Sequence, residues 1–119
     1  MTALELEKEM SGLYESLKAP LDRTPEGLLG ELDFRCQWLA RSSELRADAQ
    51  FIMDEARGRA AEQYLDSSAT VLREMINRDT AQENKLLVLA DRLNATLTHQ
   101  MDSIRSILSF EKESLRANR

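Results

Sequence analysis

The two residues with the most reactive side chains, a histidine and a cysteine, stand alone in the sequence. His99 and Cys36 are the only residues of their types, so the chain offers neither an internal disulfide nor a cluster of thiolate and imidazole metal ligands. A helical bundle can hold two metal ions through paired Glu-x-x-His motifs. The residue three positions before His99 is Thr96. We therefore predict no metal, no cofactor and no catalytic residue.

Helical periodicity predicts where these two side chains lie. His99 falls about 200° around a helix from Leu97, which predicts an exposed imidazole. Cys36 falls between Leu32 and Leu39 on an apolar stripe, so we expect a buried thiol that fills space in the core. The sequence also has no glycine-rich phosphate loop and no Gly-x-Ser-x-Gly elbow. These patterns favour a protein that is not an enzyme.

Composition indicates an all-α protein. The chain has 119 residues, 42% hydrophobic and 31% charged, but only 5% aromatic, a mixture typical of helical bundles and coiled coils. The net charge of −5 argues against general nucleic-acid binding, which depends on basic residues. Residues 1–10 lack a basic segment followed by an apolar run, and no apolar stretch approaches the roughly 20 residues that cross a bilayer. We expect a cytoplasmic protein without a membrane segment.

The helix N-cap residues and the helix-breaking prolines and glycines predict three helices in a single domain, 1–119. Both prolines, Pro20 and Pro25, fall early in the chain. The predicted helices cover about 3–18, 25–65 and 68–116, with Asp66–Ser68 as the turn between the last two. The polar interval from Asn77 to Lys85 leaves an alternative open, because Thr80-Ala81-Gln82-Glu83 is a capping-box pattern. In that alternative the chain has four helices, with a break near Asn77–Thr80.

The two long helices should form an antiparallel hairpin, preceded by the short N-terminal helix. A helix of about 16 residues can cover only part of a hairpin some 60 Å long, at about 1.5 Å per residue. The apolar stripes would then stay half exposed, and a second copy would complete a four-helix core. We therefore predict a homodimer, with a candidate interface formed by Leu86, Leu93, Leu97, Ile104 and Leu108.

Charged residues suggest two further features of the hairpin. Antiparallel pairing about the turn brings Asp54 towards the segment 78–82, which predicts a polar layer across the bundle. Its candidate members are Asp54, Arg78, Asp79 and Gln82.

An alternative function, as an accessory factor in phage-type DNA metabolism, would use bases on the last helix to contact phosphates. Those bases are Arg73, Arg78, Lys85, Arg92 and Arg105.

Two segments carry a resemblance to a group of known proteins. Residues 38–45, Trp-Leu-Ala-Arg-Ser-Ser-Glu-Leu, and the stretch 83–105, which includes Leu-Thr-His-Gln-Met-Asp-Ser-Ile-Arg, resemble small uncharacterised helical proteins of bacterial prophages and mobile elements. The resemblance covers about residues 35–115 and implies a phage-like or bacterial context without an assigned site. Independently of this resemblance, the apolar stripes favour a helical scaffold or adaptor that self-associates and binds an unknown protein partner.

Overall fold

A computed structural model describes residues 1–117, which form four helices and no strand. Helix α1 spans Ala3–Ser16, α2 Pro25–Gln63, α3 Ala69–Asp79 and α4 Ala81–Ala117. The all-α prediction is confirmed. The single helix predicted over 68–116 is wrong, because it is divided at Thr80, as the four-helix alternative expected.

Short polar residues begin the first three helices. Thr2 and Glu5 form the reciprocal capping box expected at the start of α1. Thr24 accepts a hydrogen bond from the amide of Gly27 at 3.0 Å, with Pro25 at the first helical position of α2. Ser68 caps α3 in the same way. These caps determine where the helices begin, and the residue types alone predict them.

The division at Thr80 is a local irregularity in a nearly continuous helix. The Thr80 amide still donates to the Ile76 carbonyl, and the Asn84 amide still donates to the Thr80 carbonyl. The Thr80 hydroxyl, which is buried, donates to the same Ile76 carbonyl at 2.7 Å. A threonine hydroxyl bonded back to the preceding turn often bends a helix. In the predicted capping box, this hydroxyl would instead have accepted a hydrogen bond from the backbone amide of Glu83, in the first turn of α4.

The helices form a long antiparallel hairpin, 76 × 26 × 19 Å overall. Two hydrogen-bonded pairs, Arg46 with Asp91 and Arg35 with Gln100, show that α2 and α4 run in opposite directions. Helix α1 lies parallel to α4, since Leu4 near its start lines a cavity together with Leu86 near the start of α4, and the carbonyl of Leu17, just after its end, accepts a hydrogen bond from Gln100. Helix α1 therefore ends where about the last five turns of α4 begin.

A single chain buries the leucine-rich ridge of α4. The ridge packs against Leu6, Met10, Leu13 and Leu17 of the α1 region and against Leu45 and Ala49 of α2. Four residues predicted for an oligomer interface are therefore core residues of one chain, namely Leu86, Leu93, Leu97 and Ile104. Leu108 is half-buried. The prediction underestimated α1, which is short but covers the part of α4 where leucines are most frequent.

Around Cys36, the buried stripe of α2 has a different phase from the predicted one. It contains Leu28, Arg35, Ser42, Ala49 and Ala56, each seven residues after the last. A seven-residue repeat keeps one face towards a partner helix over many turns. Cys36, one position out of this phase, is exposed, so the prediction of a buried thiol is wrong. The repeat is not evident as an apolar pattern in the sequence because two of its members, an arginine and a serine, are polar.

Candidate functional site

A polar cluster joins three helices where α1 ends. The Arg35 side chain is only 2% exposed, and its Nε donates to Oε1 of Gln100 at 2.8 Å. The Gln100 amide nitrogen in turn donates to the Leu17 carbonyl at 3.1 Å. Arg35 also pairs with Glu31, one turn earlier on α2. This cluster fixes the register of α2 against α4 and anchors the end of α1.

Further polar contacts continue along the hairpin from this cluster. The Asn94 amide donates to the buried Ser42 hydroxyl at 3.2 Å. Arg41 of α2 binds both carboxylate oxygens of Glu9 on α1, at 2.7 and 2.8 Å. This hydrogen-bonded arginine lowers the pKa of the Glu9 carboxyl below its ordinary value, although burial opposes the change. These contacts position helices, and none of them places an acid and a base around an open cavity.

The residues predicted to form a polar layer are divided among three places. Asp79 accepts from the Tyr64 hydroxyl at 2.7 Å and from Arg78 at 3.2 Å, and both bonds lower the pKa of its carboxyl, the tyrosine bond more strongly. Asp54 is exposed and accepts from Gln50 on its own helix. Gln82 lines a cavity beside α1. The partner that the prediction lacked was Tyr64, whose long side chain reaches from the end of α2.

The bases predicted to contact DNA do not share one face. Arg78, Lys85 and Arg92 are seven residues apart and lie on one side of the α3–α4 rod. Arg105 lies about 180° from Arg78 by helical geometry and pairs with Asp102. His99 is exposed, as predicted. Within residues 1–117, no group of three or more histidine, cysteine and acidic side chains is arranged to hold a metal ion.

Large apolar side chains are exposed at both ends of the hairpin. At the open end, formed by the start of α2 and the end of α4, Leu29 is 58%, Phe110 72% and Leu115 68% exposed. At the turn end, formed by the end of α2 and α3, Leu65 and Val71 are exposed. Helix α3 contains no buried residue. Helix α1 covers neither end, so both ends have only two helices to form a core.

Comparisons with protein-family models, curated proteins and solved structures gave no match for this chain. Among the described residues, no helix is both long and apolar enough to cross a membrane.

Proposed function

We propose that this protein is a non-enzymatic helical scaffold or adaptor that acts through protein–protein contacts, and that it self-associates through the open end of its hairpin. The observation that carries the proposal is the exposure of Leu29, Phe110 and Leu115 at that end. Large apolar side chains left exposed at one end of a molecule favour an interaction site at that end.

The geometry of α4 explains why Leu115 is uncovered. Leu97, Ile104, Leu108 and Leu115 follow one apolar stripe along the helix. The first two are fully buried, the third is half-buried and the last is exposed. The stripe thus continues past the region that α1 covers. Beside it, Pro25 and Leu115 line a surface hollow of about 280 Å³. A helix from a second copy could extend the covered core in this direction.

Charge at the open end is compatible with a second copy of the chain as the occupant. The first turns of α2 carry Glu26, Glu31 and Asp33, whereas the last turns of α4 are neutral, with two acids and two bases in residues 110–117. A two-fold arrangement that sets α2 of one copy against α4 of the other avoids placing the two acidic turns against each other. Such an arrangement reduces the repulsion expected between two chains that each carry a net charge of −5.

Sedimentation equilibrium tests this proposal. We expect the natural chain to dimerise at micromolar concentration and the double variant Phe110→Ser/Leu115→Ser to be monomeric. Phe51→Ser is the matched control, because Phe51 has a similar exposed fraction of 63% but lies within α2, away from the open end. A monomeric natural chain, or equal dissociation by the control, contradicts the proposal.

Cys36 provides a second measurement of which ends meet. It is exposed and is the only cysteine, so a spin label can be attached without mutation. It lies about 16 Å from the start of α2 and about 40 Å from its end, at about 1.5 Å per residue. Contact between open ends predicts a label separation below about 40 Å, whereas contact between turn ends predicts about 80 Å. Pulsed electron paramagnetic resonance separates these two distances.

A further inference from the structure

An acidic stripe runs along the second half of α2, on a side that packs against no other helix of the chain. Its positions are spaced alternately by three and four residues, which places them on one side of a helix. The acidic stripe consists of Asp48, Phe51, Glu55, Gly58 and Glu62. Phe51 is 63% exposed, and Glu55 and Glu62 are exposed and form no ion pair within residues 1–117. The open-end contact leaves this stripe uncovered.

A basic stripe with the same spacing runs along the α3–α4 rod. It consists of Arg78, Ala81, Lys85, Val88 and Arg92. All five residues are exposed. Arg78 binds Asp79, whereas Lys85 and Arg92 form no ion pair in the part of the chain that the structure describes. The rod therefore presents bases at every seventh position, with small apolar residues between them.

The two stripes are complementary in a single antiparallel register. That register gives five pairs: Asp48 with Arg92, Phe51 with Val88, Glu55 with Lys85, Gly58 with Ala81, and Glu62 with Arg78. Each acid meets a base, and the large aromatic ring meets a smaller apolar side chain. Opposite charges at facing positions of paired helices determine partner and orientation. Arg59 and Glu74, which flank the two stripes, reduce this complementarity but do not reverse it.

Gly58 has a place in this register that it lacks within one chain. A Cβ atom added at Gly58 would meet nothing within 4 Å, so no contact inside the chain requires a glycine there. Glycine inside a helix is unfavourable relative to alanine. The distance between two packed helices depends on the side chains at their contact. Opposite Ala81 of another chain, Gly58 allows the two backbones to approach closely.

We propose that the acidic stripe of α2 docks against the basic stripe of a second copy of the chain. The two stripes of one chain cannot meet, because its α2 and α4 already pack through other faces, which include Ala49 and Leu93. Within one chain Arg46 binds Asp91, and the proposed register sets Asp48 beside Arg92 of the second copy. The two hairpins therefore lie side by side, nearly level, and point in the same direction. This contact goes beyond the open-end contact, because each copy retains an unoccupied stripe that can add a further copy.

Sedimentation equilibrium at millimolar concentration measures this contact. Exposed ion pairs contribute little individually, so we expect a dissociation constant of about 0.1–1 mM. The contact is then absent at micromolar concentration, where Phe51→Ser remains a control for the open end. The Phe110→Ser/Leu115→Ser variant is the starting chain, because it isolates the stripes from the open end. Failure of either contact is thus observed separately from failure of the other.

Exchange of charge between the stripes, made in that starting chain, tests the register. Glu55→Lys and Lys85→Glu each oppose like charges and should raise the dissociation constant about five- to tenfold. The double exchange Glu55→Lys/Lys85→Glu should restore it to within about twofold. A mixture of the two single variants should associate more strongly than either alone, because Lys85 of one copy then meets Glu55 of the other. Glu113→Lys, the same charge change at an exposed position near the end of α4, is the matched control and should have little effect.

A second pair and a glycine variant complete the test. Asp48→Lys and Arg92→Glu replace the first pair if circular dichroism shows a variant to be unfolded. Gly58→Gln should raise the melting temperature, because glutamine favours a helix, yet weaken association by separating the backbones. A starting chain that stays monomeric at millimolar concentration overturns the inference. So does a double exchange that associates no better than the single variants, or a Gly58→Gln variant that associates as well as the starting chain.

Discussion

Replacing Gln100 by leucine should destabilise the fold by about 1–3 kcal/mol. The substitution leaves Nε of Arg35, at a side chain only 2% exposed, without its acceptor, at a cost of about 1.5–3 kcal/mol for a bond to a charged group. The Leu17 carbonyl also loses its donor, at about 0.5–1.5 kcal/mol. Additional apolar burial of the leucine offsets roughly 1 kcal/mol. For a chain of this size, the loss lowers the melting temperature by about 4–12 °C.

Urea unfolding monitored by circular dichroism measures this loss. Gln37→Leu is the matched control, because Gln37 is exposed and bonds only to Asp33 on its own helix. It should change the free energy of unfolding by less than about 0.5 kcal/mol. The double variant Arg35→Leu/Gln100→Leu should be less destabilised than Gln100→Leu alone, because it leaves no buried Nε–H without an acceptor. If Gln100→Leu costs no more than Gln37→Leu, the three-helix polar cluster does not stabilise the fold.

Three other outcomes follow from the same contacts. In the monomer, Leu97→Ala should cost about 2–5 kcal/mol, whereas Leu115→Ala should cost under about 0.5 kcal/mol; urea unfolding of both variants at a concentration too low for dimerisation checks this, and similar losses would contradict the assignment of Leu97 to the core. The pKa of Glu9 is lowered in the folded state, so its stabilising effect is present above the ordinary pKa of 4.5 and is lost as pH falls through the lower folded value. Glu9→Gln should therefore be less stable than the natural chain at neutral pH and nearly equal in strong acid, and a difference independent of pH would refute this. Finally, a gel shift at about 50 mM salt, where non-specific binding is strong, should show no retardation of DNA; salt-sensitive retardation would instead favour the DNA-binding alternative.

The hairpin was predictable because its determinants are local. Caps such as Thr24 and the Asp66–Ser68 turn depend on residue types within one or two turns of helix. The break at Thr80 was left between two alternatives, because the residues around it favour helix by propensity. The deciding interaction is the back-bond of the Thr80 hydroxyl to Ile76, which composition does not reveal.

The placement of the core was less predictable because it depends on contacts between distant segments. The sequence indicated that α4 has an apolar ridge, but not that α1 covers its most leucine-rich part. Arg35 was missed because a charged residue at a core position reads as a surface residue. Its burial is explained by Gln100 and Glu31, which accept hydrogen bonds from its guanidinium group. The signal that could have revealed it was the seven-residue spacing from Leu28 to Ser42.

Hydrogen exchange of the Phe110→Ser/Leu115→Ser variant, at a concentration where it is monomeric, tests most directly whether one chain alone forms the core. If α1 and α2 cover the ridge of α4, amides from Leu86 to Ile104 should remain strongly protected, while those of α3 and the last turns of α4 exchange quickly. Loss of protection between Leu86 and Ile104 in the monomer would contradict this account, because it would mean that the ridge needs a second copy to be buried.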